Sequence, residues 1–336
     1  MAGQFTSVEG DLESIYVTDY NLIDQNAGTP SLWLWGNNSN GQLGDNTQVA
    51  KLIPVQTAAA GTNWKLTDGT HGTLNSAAIK NDGTLWLSGY NVYGSLGDNT
   101  QVDKSSPVQT IAGGTNWKQA SGGGYSQAAI KTDGTLWTWG HNGFGNLGKN
   151  DTTHRSSPVQ TVAGGTNWKQ VAVTAAHMAA IKTDGTLWLW GYNAYGQHGA
   201  NNLTMRSSPV QTVSGGSNWK SVVAAANNTA AIKTDGTLWT WGHGGNGILG
   251  NNAITHKSSP IQTVAGGTNW KQVASGGIHL AAIKTDGTLW AWGYNFNGQL
   301  GDNTSVAKSS PVMVNVTTSS WKHVGAGAFH TVAIQF

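Results

Sequence analysis

A single phrase returns along this chain at a constant interval, and that interval limits the architecture more than any other feature. Asp-Gly-Thr-Leu-Trp begins at Asp82, Asp133, Asp184, Asp235 and Asp286, a step of 51 residues each time. An altered sixth copy, "TPSLW", ends at Trp33. Two further markers keep the same period: Trp-Lys at Trp64, Trp117, Trp168, Trp219, Trp270 and Trp321, and a proline at Pro54, Pro107, Pro158, Pro209, Pro260 and Pro311. The spacing stretches to 53 only across residues 65 to 79, where two residues are inserted. All 17 tryptophans sit on this grid, six in "LW", five in the following "WG" and six before lysine. Ser88 fills the one vacant "WG" place.

Each repeat reads as four short strands. "WKQVA" and "HLAAIK" are separated by a Gly- or Ala-rich turn, and "KTDG" then supplies the Asp-Gly pair that tight hairpins favour. "TLWTWG" alternates with period two, so Trp137 and Trp139 share one face while Leu136 and Thr138 share the other. A long Gly- and Asn-rich connection leads to "SSPVQT", whose proline suits an edge strand. Four strands per unit, repeated without helical periodicity, predict an all-β, closed β-propeller of four-stranded blades. Six blades are the preferred count, with "WKHVGAGAFHTVAIQF" completing the blade that Ser31 to Thr57 begin. A seventh, degenerate blade from the N-terminus is the alternative. Both faces of most blades are then buried, and burying about 200 Å² of each indole at roughly 25 cal/mol/Å² contributes about 5 kcal/mol before entropy is subtracted.

The stretch "WKQVASGGIHLAAIKTDGTLWAWGYNFNGQLGDN", Trp270 to Asn303, resembles the repeat of the regulator of chromosome condensation family, of the kind found in bacterial and phage proteins. The resemblance runs from about residue 32 to 336 and recurs six times. It implies the propeller fold. It leaves function open, because this fold serves nucleotide exchange, enzyme inhibition and scaffolding alike. Guanine-nucleotide exchange would need a specialised insertion, whereas these repeats are nearly uniform. Chromatin binding would need a basic tail, whereas the N-terminal segment is acidic.

That segment differs from the body in charge. Residues 1 to 50 hold six acids and no Lys or Arg, while the rest holds all 18 bases and ten acids, a local balance of +8. Residues 1–28 are therefore read as an attachment segment or degenerate half-blade, and 29–336 as the propeller. Through residues 1–28 the chain is expected to join a homo-oligomer or larger particle. No cysteine is present, and neither a basic-then-apolar leader nor an apolar run of membrane-spanning length occurs. The expectation is a soluble, cytoplasmic or virion-associated protein without membrane insertion.

Catalytic chemistry finds few residues to work with. Glu9 and Glu13 are the only glutamates, and the aspartates fall mainly in the "TDG" and "LGDN" turns. Asp68, Asp103 and Asp151 alone remain unassigned in the body, too few for an acid and base pair. His177, His279 and His330 share one repeat position with Asn75, Ser126 and Asn228, which argues for a hydrogen-bonding structural role. No Ser-centred elbow, HExxH or phosphate loop appears. The chain is read as non-enzymatic, with no cofactor and no metal. The bases also repeat: six after Trp, five after Ile, and six three residues before the proline. They are read as solvated strand ends that discourage edge pairing rather than a polyanion-binding ring, which argues against nucleic acid as the partner.

Function is sought where the repeats disagree. After "WG" they read "NNSNG", "YNVYG", "HNGFG", "YNAYG", "HGGNG" and "YNFNG", placing Tyr90, Tyr93, His141, Phe144, Tyr192, Tyr195, His243, Tyr294 and Phe296 in equivalent loops. Equivalent loops share a propeller face, so these side chains make a candidate surface for a protein or glycan ligand, as in receptor binding at a virion or cell surface. The same rings are equally suited to covering blade edges, which would leave a structural assembly subunit. A further variable stretch, "TQVA", "TQVD", "DTTH", "NLTM", "AITH" and "TSVA", is a candidate second surface.

Overall fold

The computed structural model describes residues 31–59, 63–65, 74–213, 216–315, 320–327 and 329–335. The attachment role expected of residues 1–28 lies outside them. The first strands, β1 (Trp33–Gly36) and β2 (Lys51–Gln56), form an antiparallel pair. A four-stranded meander follows, from β3 (Trp64–Lys65) and β4 (Asn75–Lys80) to β5 (Leu85–Gly89) and β6 (Lys104–Gln109). The second is β7 (Trp117–Gly122), β8 (Ser126–Lys131), β9 (Leu136–Gly140) and β10 (Arg155–Gln160). The third is β11 (Trp168–Val173), β12 (His177–Lys182), β13 (Leu187–Gly191) and β14 (Arg206–Gln211). The fourth is β15 (Trp219–Ala224), β16 (Asn228–Lys233), β17 (Leu238–Gly242) and β18 (Lys257–Gln262). The fifth is β19 (Trp270–Ser275), β20 (His279–Lys284), β21 (Leu289–Gly293) and β22 (Lys308–Met313), and a pair, β23 (Trp321–Ala326) with β24 (Thr331–Gln335), ends the chain.

Period-two alternation decides how the sheets stack. Trp168, Val171 and Trp190 of one sheet are buried with Ala128, Ile130 and Leu136 of the preceding one. Trp117 and Trp139 likewise meet Ile79, Leu85 and Leu87. The indole face of each sheet thus fills the wedge against the aliphatic face of its predecessor, the arrangement of propeller blades. Polar groups cross the same interfaces. Trp139, Trp190, Trp241 and Trp292 each donate Nε1–H to a carbonyl 44 residues earlier, at 2.6 to 2.8 Å. The Gln170 side-chain amide both donates to and accepts from the Val222 backbone, at 3.1 Å each way, adding a short rung between sheets. The proline strand lies at the outer edge of each four-stranded sheet, where a missing N–H costs nothing.

Two expectations change. The lysines after Ile are not simply solvated: Lys131 Nζ lies 4.7 Å from the Trp117 ring and 4.8 Å from the Trp137 ring, and Lys80, Lys182, Lys233 and Lys284 repeat the contact. The cation sits on two indole faces, one buried and one half-buried, each contact worth at least about 0.5–1 kcal/mol. The chain ends also differ from the closed blade that the repeats predict. β1–β2 and β23–β24 are separate two-stranded sheets, with no ladder between β24 and β1 among the described residues. Trp33 is accordingly 50% exposed, and β24 is half-buried where β8, β12, β16 and β20 are almost wholly buried. Every other pairing is a hairpin between neighbours in sequence. This one would join strands about 300 residues apart, so local turn geometry does not set it.

Candidate functional site

In an antiparallel meander the turn between the first and second strands and the connection between the third and fourth leave on one face. That face collects nearly everything in which the repeats differ. Five of the six third-to-fourth connections are held by an asparagine two residues after the strand-ending glycine. Asn142 Nδ2 donates to the Asp151 and Thr153 carbonyls at 3.0 and 3.1 Å, while its Oδ1 accepts from Leu147 N–H at 2.8 Å. Asn38, Asn91, Asn193 and Asn295 make the same clamp, so the loops are rigid mounts. At Gly244 the asparagine is lost, and a 3₁₀ turn over Gly245–Gly247 replaces it.

The mounted rings touch in an unbroken chain. Tyr125, Tyr90 and Tyr93 form a triad with centroids 5.6 to 6.4 Å apart. Tyr93 meets His141 at 4.9 Å, His141 meets Phe144 at 5.9 Å, and Phe144 meets Tyr192 at 5.1 Å. Tyr192 continues to Tyr195 at 6.3 Å and Tyr195 to His243 at 4.9 Å. From Tyr93 to His243 the interplanar angles run from 63° to 82°, so each ring sets its edge against the next ring's face. Seven of the nine ring residues expected from the sequence are therefore brought together. Tyr294 and Phe296 form a separate pair at 4.8 Å.

Three residues outside that set complete the ladder. Tyr125 occupies the variable turn between β7 and β8, a place where other repeats have Ala176, Asn227, Ile278 and Phe329. His154 and His256 come from the second variable stretch. His154 lies 4.8 Å from His141 and 5.0 Å from Tyr93, and His256 lies 4.7 Å from His243 and 5.0 Å from Tyr195. The second stretch is thus part of the first surface and not another one. The comparison of repeats pointed to both stretches, but their meeting depends on how the loop folds back.

The histidine pairs are equivalent units two repeats apart. His154 Nδ1 accepts the Asn142 N–H at 2.9 Å and His256 Nδ1 accepts the Gly244 N–H at 3.0 Å, which places the proton of each neutral ring on Nε2. Asp103 accepts the Asn91 N–H at 2.7 Å in the corresponding place. Burial first, and the neighbouring imidazole second, hold His141 and His243 below the ordinary histidine range. Tyr90 is pushed up, first by burial and then by Tyr93, Tyr125 and Asp103. The histidines deeper in the sheets serve another purpose. His177 Nδ1 and Nε2 face the hydroxyls of Thr174 and Thr229 at 3.1 and 3.3 Å, and His279 Nε2 faces Thr331 at 2.9 Å, linking adjacent sheets. Among the described residues no group of three or more His, Asp or Glu converges as a metal would require, and no helix is long and apolar enough to cross a membrane.

Face-to-face four-stranded sheets carrying their variation in loops on one side define a repeat β-propeller. The chain belongs to the regulator of chromosome condensation (RCC1) repeat family, whose repeat matches residues 31–79, 133–181, 235–283 and 286–334. A second description of the same repeat matches 168–197 and 270–299. Among curated proteins it is 30% identical over 306 residues to the ultraviolet-B receptor UVR8 of Arabidopsis thaliana, covering 89% of this chain and 69% of that one. It is 28% identical over 272 residues to the E3 ubiquitin-protein ligase HERC2 of Homo sapiens, covering 78% of this chain but 6% of the ligase. Among solved structures, human WBSCR16 aligns with a TM-score of 0.77 at 21% identity, over 90% of this chain and 81% of that one. Prp20p of Saccharomyces cerevisiae aligns with a TM-score of 0.76 at 18% identity, over 92% and 79%. These two likenesses establish the fold.

Proposed function

We propose that this propeller is a non-enzymatic recognition module that binds a partner protein through the loop face bearing the aromatic ladder. The observation that carries the reading is the unbroken run of ring contacts from Tyr125 to His243, mounted chiefly on asparagine-clamped loops. Half-buried aromatic side chains held in fixed positions give contact area at little cost in conformational entropy. Relatives of the fold support a protein as ligand: one yeast structure is described with binding to Gsp1p and histones, and another shows yeast RCC1 with Kap60. A glycan on a virion or cell surface is the competing ligand, and it would stack on open ring faces. The edge-to-face packing here favours protein. Probing glycan arrays and host-cell lysate with the full chain, beside the variant Tyr192→Ala with Tyr195→Ala, tests this. The reading requires protein capture that the double variant loses while its melting temperature holds.

A structural assembly role is the second reading, favoured by the open edges of β24 and β1. Those edges match. By repeat equivalence with the β20–β21 register, Val332 would face Leu34 and Thr331 would face Trp35, and the two half-sheets would complete a sixth blade within one chain. Pairing between chains would use the same edges and build an oligomer instead.

A further inference from the structure

The ladder does not cross a neutral face. In the first, second and sixth repeats the turn aspartate neutralises the base that follows it: Asp45 with Lys51 at 3.1 Å, Asp98 with Lys104 at 3.7 Å, and Asp302 with Lys308 at 3.4 Å. In the third, fourth and fifth repeats the aspartate position is held by Lys149, Ala200 and Asn251. The connections 141–155, 192–206 and 243–257 therefore contain Lys149, Arg155, Arg206 and Lys257 against a single acid, Asp151, a balance of +3. Asp151 pairs with Arg155 at 2.7 Å. No ion pair engages Lys149, Arg206 or Lys257 among the described residues. The first-to-second strand turns on the same face, 122–126, 173–177, 224–228 and 275–279, add no Asp, Glu, Lys or Arg.

These loops are coupled into one surface. Asn150 N–H donates to the Ser207 carbonyl at 2.7 Å, setting the residue after Lys149 against the residue after Arg206. Asn201 repeats the bond to Ser258, next to Lys257, at 2.8 Å. The arc is also where the ladder runs from His141 through Phe144, Tyr192 and Tyr195 to His243. Unpaired bases and ladder rings thus share the same three successive connections.

Resting on the recognition reading above, we infer that this arc docks an acidic segment of a partner protein, with its carboxylates on Lys149, Arg206 and Lys257 and its apolar side chains along the ladder. Charge complementarity selects the sign of the partner. The ring geometry selects its class, because bases stack on free aromatic faces and these faces are met by neighbouring edges. A nucleic acid would also demand more phosphate contacts than three unpaired cations supply.

The test is fluorescence anisotropy of the full chain with a labelled glutamate–tyrosine copolymer, with oligothymidylate as the alternative polyanion. The copolymer is expected to bind at low salt, and to bind about tenfold more weakly to the double variant Lys149→Glu with Arg206→Glu. Lys51→Gln with Lys308→Gln, at the position equivalent to Arg206 in two neutralised repeats, should leave affinity unchanged. Equal affinity for the Lys149/Arg206 variant, absence of copolymer binding, or tighter oligothymidylate binding would each overturn the inference. A peptide of residues 1–28 that outcompetes the copolymer would also overturn it, by making this chain's own N-terminus the occupant. If Tyr192→Ala with Tyr195→Ala abolishes copolymer binding while the charge variant does not, the loop face stands and only the acidic partner falls.

Discussion

At the scale of single residues, similar side chains have separate duties according to burial. Trp190 is wholly buried, so Trp190→Ala should cost about 3–5 kcal/mol in chemical denaturation. Tyr192, two residues on and half-exposed, should cost little when removed and act on binding instead. His198 stands where five repeats have Leu43, Leu96, Leu147, Leu249 and Leu300, and it is as buried as they are. Burial lowers it to about 4, as it lowers His279 to about 4 and His177 to about 3. These rings are neutral in the folded chain and take up protons when it unfolds below about pH 6.5, so their contribution is present above that pH and lost as pH falls toward 4. At pH 5 each costs about 2 kcal/mol. His198→Leu should therefore raise the melting temperature and flatten its slope between pH 6.5 and 4, and an unchanged slope would show that the ring is not desolvated. The turn carboxylates act in a lower window. Asp82, Asp133, Asp184, Asp235 and Asp286 are lowered chiefly by the threonine hydroxyl two residues on, so their contribution holds above about pH 4 and is lost below it.

At the scale of the element, all the long connections but the one through Gly244 are shaped by one buried amide each. Asn142→Ala removes two carbonyl contacts and leaves the Leu147 N–H without its acceptor, a loss of about 2 kcal/mol. Faster hydrogen exchange at Leu147 and weaker partner binding should accompany it, since His141, Phe144 and His154 all depend on that loop. If exchange stays slow, the rings and not the asparagine hold the loop. The strand-ending glycines are equally specific. Gly140 has φ of 96°, and a Cβ there would lie 2.4 Å from the Tyr125 carbonyl oxygen, so no other residue lets β9 turn under the neighbouring hairpin.

At the scale of the whole molecule, any pairing of the two half-sheets is set by contacts between the two ends of the fold. The chain has no native cysteine, so Leu34→Cys with Val332→Cys reports on one pairing alone. A monomeric disulfide formed under mild oxidation would demonstrate the sixth blade within one chain, and a disulfide-linked dimer would demonstrate pairing between chains. Absence of either cross-link would reject the register drawn from β20 and β21.

The strands and their order within each sheet were legible in the 51-residue period, because hairpin turns and period-two alternation act between neighbours in sequence. Burial of the indoles was legible only in part, since Trp117, Trp139 and their equivalents in the next three repeats are buried while the other "LW" tryptophans are half-buried and Trp33 is exposed. The loops proposed to carry recognition were legible too, as positions where Tyr90, His141 and Tyr192 replace one another. Tertiary structure alone joined His154 and His256 to that ladder, moved Lys131 and its equivalents onto paired indoles, and left β24 and β1 as separate edges. The physical reason is common to all three. Each depends on where groups from different strands, loops or repeats come to rest, and a local pattern specifies the elements without specifying distances between them.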